Sequence, residues 1–332
     1  MTITIAFSAV IGRAGPLEIL IFVMIGGWLY ELNRQIIAQV NIDIGGSITI
    51  FMFGGIMGTV AAVILALKAQ KEELVNRTNY TSSRFNSTLA FLGSAFFWVF
   101  YPTIFYDVPD IAAGTETRTA PFLDQNGMIN AYWGISASVV TSLAMSAVMN
   151  GRIRIKDLMY GTFAGAAIVG TSAPHMFNPV GAIVLGMISG LLQPLFNLAE
   201  EKIAQKRAVF STCTPFLFAV QGLLGSLAAG IFRAIGNNGE YRFDYTLYPY
   251  PYRWAQAGEY YRATFISFGI AIGAGVIVGL FAWCVTGQQS KDYFEDVAYW
   301  IVRDDGLRPQ RAEAKEEEDI KGAHSYIGAI HW

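Results

Sequence analysis

The segment from Asp43 to Gly54 reads DIGGSITIFMFG and opens an apolar run that extends to about residue 68. The acid comes first, small residues follow, and the run then changes from polar to aromatic. A membrane-spanning helix needs about 20 predominantly apolar residues. The segment therefore predicts a spanning helix with a carboxylate at its N-terminal end.

The composition of the whole chain is that of a membrane protein. Hydrophobic residues make up 53% of the 332 residues and charged residues 14%, with a net charge of −2. Soluble domains carry about 25% charge, so this composition disfavours a soluble enzyme, a disordered protein and a nucleic-acid binder. The two cysteines and three histidines stand singly, which indicates neither a disulfide scaffold nor a metal or cofactor site.

Apolar runs separated by short polar breaks recur along the chain, and none alternates with period two, as barrel strands do. We predict an all-α, polytopic membrane helix bundle with a partial first span and about eight full spans. The predicted spans are 1–12 (partial), 15–38, 46–68, 87–105, 129–149, 158–173, 180–198, 212–235 and 260–286. Residues 1–287 form the predicted transmembrane domain, and residues 288–332 a polar C-terminal tail.

The polar breaks alternate between basic and acidic composition. Basic breaks mark the cytosolic or matrix side of a membrane. We therefore predict that loops 69–86, 150–157 and 199–211 share that side with the C-terminal tail. Loops 106–128 and 236–259 then lie on the opposite side.

Two stretches predict contact with something besides the bundle. The loop 236–258 concentrates aromatic side chains, which favour either the headgroup zone or a partner surface. The polar tail ends in a tryptophan. The candidate partner-contacting residues are Tyr245, Tyr248, Tyr250, Tyr252, Trp254 and Trp332.

Seven blocks, in order, resemble the Rh glycoprotein branch of the ammonium transporter family. The first is the segment from Asp43 to Gly54, which is similar to that family's first pore helix. The others lie at 97–103, 130–142, 158–171, 179–190, 212–225 and 294–300. The resemblance covers residues 5 to 302, and it is the order of the blocks that makes it specific.

The resemblance implies a helix bundle of the ammonium transporter type, usually a trimer, with a narrow pore through each subunit. An acid and aromatic rings at the mouth attract ammonium by charge and cation–π contact. Phenylalanines gate the entrance, and two histidines, one on each pore helix, lower the cost of moving a polar species through a dry lumen. The first family helices have no counterpart here, which predicts an N-terminally shortened member.

The pore positions depart from this pattern. The first pore histidine falls on Phe51, and the second on Phe216 or Phe218, depending on where a two-residue insertion is placed. The gate phenylalanine falls on Ile104, with Phe105 adjacent. The mouth acid is kept as Asp43, whose role is either to recruit ammonium or to cap the helix that follows.

Other residues with chemical potential receive plainer interpretations. His175, in a turn between two spans, is expected to be a surface or interface histidine rather than a proton relay. Cys213 and Cys284 are expected to be buried apolar cysteines. No nucleophile, base and orienting group occur together, so the sequence does not predict an enzyme.

Two functions remain open. The first is a non-conducting structural or accessory subunit of a larger membrane complex, with a sealed lumen and partner subunits at the aromatic loop and the tail. The alternative is an ammonia or ammonium channel that conducts through the subunit pore. Both require a lipid bilayer and no nucleic acid. The mitochondrial inner membrane is the expected compartment of the first.

Overall fold

The computed structural model describes residues 1–12, 14–41, 43–68, 84–105, 121–176, 178–206, 214–235 and 253–285. Within these ranges the regular structure is helical, and no strand occurs. The helices are α1 (Thr2–Ser8), α2 (Pro16–Val40), α3 (Phe53–Lys68), α4 (Arg84–Phe100), α5 (Pro121–Asn150), α6 (Ile155–Val169), α7 (Pro179–Lys206), α8 (Gln221–Ile235) and α9 (Arg253–Val285). The all-α prediction is confirmed.

Seven of the described helical segments are long and apolar enough to cross a membrane. They are Pro16–Val40, Ser47–Leu67, Phe85–Phe105, Gln125–Asn150, Pro179–Glu200, Pro215–Ile235 and Ala257–Val285. The predicted span 158–173 corresponds to α6, which has 15 residues and is about 22 Å long at 1.5 Å per residue. Nearly all of α6 from Gly161 onward is buried, because α4, α5, α7 and α8 contact it.

Local sequence explains where the first long helix begins. Pro16 occupies the first position of α2, where its missing N–H costs nothing. The carboxylate of Glu18 accepts a hydrogen bond from the Gly15 N–H at the cap. This arrangement satisfies a backbone donor that a helix start otherwise leaves free.

Helices α5, α6 and α7 pack nearly backbone to backbone. A Cβ on Gly186 would overlap the carbonyl oxygen of Gly134, and one on Gly190 would overlap the Ser138 carbonyl and Thr141. Ser138 Oγ donates to the Gly161 carbonyl at 2.7 Å. In lipid, such close approach and interhelical hydrogen bonds replace the hydrophobic drive that assembles soluble cores.

A second close-packed group surrounds α3. A Cβ on Gly275 of α9 would lie 2.7 Å from the Met57 carbonyl oxygen, and one on Gly58 would overlap the backbone of Ala6 in α1. Large side chains, including Phe22 of α2 and Tyr260 of α9, fill the remaining space. Helix α3 is thus held between α1 and α9.

A buried polar cluster ties one end of α5, α6 and α7 together. The fully buried Asp157 of α6 accepts hydrogen bonds from Ser146 Oγ at 2.5 Å, Asn197 Nδ2 at 2.6 Å and Arg154 Nε at 2.9 Å. Burial alone would raise the pKa of Asp157, but these hydrogen bonds lower it by more. The net pKa therefore lies below its ordinary value. The carboxylate therefore remains ionised and paired.

Several predictions fall on residues outside the described ranges. They are the arrangement of residues 69–83 and 106–120, the part of the aromatic loop with Tyr245, Tyr248, Tyr250 and Tyr252, the domain boundary at 287 and the tail with Trp332. Each of them stays a prediction. Trp254, by contrast, lies in the first turn of α9.

The close approach of α5 and α7 can be tested with one methyl group. We expect Gly186→Ala to lower stability by about 1–3 kcal/mol, because the added Cβ displaces the Gly134 backbone. The measurement is thermal unfolding of the purified chain in detergent. Gly273→Ala in α9 is the matched control, since a Cβ there meets nothing within 4 Å. Equal melting temperatures for the two variants would contradict the packing described.

Candidate pore site

Two π-helical turns, at Ser47–Met52 and Pro215–Val220, carry the aromatic residues predicted at the pore. Each leads directly into a longer helix, α3 or α8. At the first, Gly46 adopts a left-handed conformation with φ +74°, and its carbonyl accepts hydrogen bonds from the N–H groups of Ile50 and Phe51. Single π turns inside helices are uncommon, and those that occur are often located at functional sites.

The structure brings Phe51 and Phe218 together. Their rings are stacked, with centroids 6.1 Å apart and planes 10° apart. Phe216, the other candidate on the same turn, instead stacks on Phe196 of α7 at 5.3 Å. Of the two candidates for the second pore position, Phe218 is therefore the one that meets Phe51.

This pair and three further rings form a closed circuit of five contacting rings, which we call the aromatic plug. Beyond the stacked pair, Phe51 contacts Tyr101 at 5.8 Å, and Tyr101 contacts Phe97 at 5.0 Å. Phe97 contacts Phe163 at 4.7 Å, and Phe163 returns to Phe218 at 6.1 Å. These centroid separations are those of rings in van der Waals contact.

The two residues at the predicted gate lie in different environments. Ile104 is exposed, whereas Phe105 is fully buried. The Phe105 ring packs edge-on against Tyr101 at 6.2 Å. Phe105 therefore extends the aromatic plug, and Ile104 does not belong to it.

Asp43 lies at the start of the first π turn and accepts four hydrogen bonds. The donors to Oδ2 are the N–H groups of Ile48 (3.1 Å) and Thr49 (2.6 Å) and the Thr49 hydroxyl (2.8 Å). Thr171 Oγ1 donates to Oδ1. Loss of contact with water raises the pKa of this carboxyl above its ordinary value, although the hydrogen bonds oppose the shift. These contacts are those of a helix cap that also joins α3 to the end of α6.

The same region continues as a buried network of hydroxyl and backbone groups. Ser47 N donates to Thr171 Oγ1 at 3.1 Å, and Ser47 Oγ donates to the Ala167 carbonyl at 2.7 Å. The Tyr101 hydroxyl donates to the Gly45 carbonyl at 2.7 Å. A Cβ on Gly45 would overlap the backbone of Gly170, so only glycine permits this approach.

Gln221 is a buried polar residue at this site that the sequence analysis did not single out. Its side chain is fully buried, and neither amide atom has a hydrogen-bond partner among the described residues. It lies one turn after Phe218 on the α8 strip whose Gly222 and Gly225 press against the backbones of Met52 and Ile168. The sequence signal was the polar residue at the first position of a largely apolar helix.

His175, expected at a surface or an interface, contacts another helix of the same chain. It is partly buried, and its Nε2 lies 2.5 Å from the hydroxyl of Tyr260, a buried residue of α9. Burial, with a smaller contribution from Arg233, lowers the pKa of His175 to about 3. The histidine is therefore neutral at physiological pH and ties the turn after α6 to α9.

The cysteines and the possible metal ligands in the described part of the chain form no site there. Cys284 is exposed on α9, so the expectation of a buried cysteine is wrong there, since the outer face of a spanning helix needs no core partner. Cys213 lies outside the described residues. No group of three or more His, Cys, Asp or Glu side chains that could hold a metal occurs within the described ranges.

The model of the Ammonium Transporter Family matches residues 1–292. The chain belongs to this family. It is 27% identical to ammonium transporter Rh type C of Xenopus laevis, over 98% of this chain and 68% of the relative. It is 28% identical to Rh type B of Bos taurus, over 96% of this chain and 70% of the relative.

Solved structures show the same fold. The Rh50 protein of Nitrosomonas europaea, whose structure is described with the Rhesus protein family of channels, aligns with a TM-score of 0.72 at 21% identity. That alignment covers 99% of this chain and 78% of Rh50. A sensor Amt protein aligns with a TM-score of 0.64 over 87% of this chain and 70% of its own. The predicted family is thus confirmed, and the curated relatives named above are of Rh type.

The network around Asp43 can be tested at Thr171. We expect Thr171→Val to destabilise the chain by about 1.5–3 kcal/mol, because it removes a hydrogen bond to a carboxylate. Thermal unfolding in detergent measures the effect. Thr103→Val is the matched control, because Thr103 is exposed in the 3-10 turn after α4 and its hydroxyl donates to the nearby Phe100 carbonyl at the end of α4. A loss no larger than that of the control would contradict the linking role of Asp43.

The lowered pKa of His175 predicts an acid sensitivity. A histidine whose folded pKa lies below its ordinary value near 6.5 stabilises the fold above that value, and the contribution is lost as pH falls toward about 3. We expect His175→Asn to reduce the fall in melting temperature between pH 7 and pH 4. An unchanged pH dependence in the variant would show that His175 is not buried as a neutral ring.

Proposed function

We propose that this chain is a non-conducting member of the ammonium transporter family that serves as a structural or accessory subunit of a membrane complex. The aromatic plug is the observation that carries the proposal. It lies where the two π turns meet, and both turns belong to the segments that resemble the family's pore helices.

The physical argument concerns the cost of moving a polar molecule through this region. A histidine pair would offer hydrogen-bond donors and acceptors along the lumen, whereas Phe51 and Phe218 offer only ring faces and fill the volume. A polar molecule without hydrogen-bond partners in an apolar environment costs several kcal/mol. Tyr101, Phe97 and Phe163 support the stacked pair from the side, so opening a path requires several rings to move together.

The alternative, an ammonia or ammonium channel, is favoured by two polar features. Asp43 keeps the acid expected at a pore mouth. Gln221 places an amide without a partner in the described structure one turn beyond the plug. The chain's relatives are named ammonium transporters. A channel would require the Phe51 and Phe218 rings to separate, so the two functions differ in flux.

Ammonia flux into proteoliposomes distinguishes the two functions. We expect the wild-type chain to give internal alkalinisation no faster than protein-free liposomes. The double variant Phe51→Ala/Phe218→Ala is expected to accelerate it, because truncating both stacked rings opens space beside Gln221. The matched control is Phe265→Ala/Phe281→Ala, which truncates two exposed rings of α9. Fast flux by the wild-type chain that Phe51→Trp abolishes would overturn the proposal and support the channel.

The partner subunits and the compartment belong to the same proposal. The loop 236–258 and the C-terminal tail are the segments that we expect to contact neighbouring subunits, and the mitochondrial inner membrane is the compartment we expect. Native mass analysis after mild detergent extraction tests the assembly. Recovery in a hetero-oligomer supports an accessory role, whereas a stable monomer or a conducting homotrimer without foreign subunits contradicts it.

A further inference from the structure

The connection between α5 and α6 has a defined conformation. Gly151 turns the chain with φ +65°. Asn150 Nδ2 donates to the Ser146 carbonyl at 3.0 Å, and Arg154 N donates to Ser146 Oγ at 3.2 Å. Because Ser146 also bonds to the buried Asp157, the connection is joined to the polar cluster at this end of the bundle.

Large apolar side chains are exposed on both sides of this connection. Val148 is 81% exposed, Ile153 60% and Ile155 56%. Val148 lies in the last turn of α5, and Ile155 begins α6. These side chains lie at or just beyond the end of the candidate span Gln125–Asn150, and the ends of spanning helices are where acyl chains meet headgroups.

Basic residues alternate with these isoleucines in the run Arg152-Ile-Arg-Ile-Lys156. Arg154 is paired with Asp157, and Lys156 with Glu200 of α7 at 3.3 Å. Arg152 is exposed and has no ion-pair partner among the described residues. The two nearby buried or half-buried acids are therefore already neutralised, and Arg152 is the cation that this surface presents.

We propose that the surface formed by Val148, Arg152, Ile153 and Ile155 binds anionic phospholipids, with Arg152 at the phosphate and the isoleucines inserted among the acyl chains. Alternating basic and apolar residues at the interface match a negatively charged leaflet in both charge and polarity. The side of the membrane agrees, since this loop is one of the predicted basic breaks.

The exposed isoleucines favour an anionic lipid over a free phosphate or a polar protein partner. A free phosphate would gain from Arg152 but nothing from Ile153 and Ile155. A polar protein partner would leave those two side chains poorly covered. Only an anionic lipid uses both the charge and the apolar surface. The inference holds whether or not the subunit conducts ammonia.

The test uses the purified full chain in neutral detergent with added lipid. We expect phosphatidylglycerol to raise the melting temperature more than phosphatidylcholine does, with an effect that weakens as salt is added. Arg152→Gln should weaken phosphatidylglycerol affinity about five-fold, the effect of about one cation at a charged membrane surface. Ile153→Ser/Ile155→Ser should weaken it while leaving the charge intact. Lipid retention in native mass analysis provides a second readout.

Arg262→Gln is the matched control. Arg262 is an exposed arginine of α9, paired with Glu259 at 3.5 Å. Arg262 lies near Tyr260, which bonds to His175 just after the C-terminal end of α6. Arg152 lies just before the N-terminal end of α6, so the two arginines are at opposite ends of that helix. This control should retain wild-type affinity. Equal stabilisation by phosphatidylcholine, no effect of Arg152→Gln, or full stabilisation by inorganic phosphate alone would each overturn the proposal.

Discussion

The hydrogen bonds of the Asp43 carboxylate determine how the pore region is built. One carboxylate satisfies two N–H groups and a hydroxyl of the first π turn and also accepts from Thr171 at the end of α6. Inside a membrane, the start of a helix has no water to satisfy its free N–H groups. Asp43 meets this need with Oδ2, and its Oδ1 accepts from Thr171, so the first π turn and the segment after α6 are held at one point.

Several other features depend on that point. Ser47 and Tyr101 bond to backbone carbonyls beside it, and Gly45 and Gly170 touch there. The π turn that follows orients Phe51 toward Phe218. A residue that resembles a recruitment site by position thus has the contacts of a structural anchor.

The candidate pore site combines an apolar centre with polar groups on its margins. The five rings of the aromatic plug contact one another, whereas Gln221 is buried without a partner in the described structure. A buried amide without hydrogen bonds costs about 1–3 kcal/mol, and such groups in native proteins call for an explanation. The five rings favour a sealed subunit, and the unpartnered amide favours a channel. A measurement of ammonia flux, rather than likeness to relatives, therefore decides between the two.

Much of the fold followed from the sequence, because apolar runs of about 20 residues have few alternatives in a membrane. Spans, the helical class and the family blocks were readable for that reason, whereas Phe51 as the first pore position stays a prediction. The sequence could not decide between Phe216 and Phe218, since a π turn changes which side chains face inward. It also missed Gln221 and misjudged Cys284, because burial depends on which helix packs alongside. Those contacts arise only when glycines distant in sequence allow backbones to meet, and the tertiary structure alone shows where that happens.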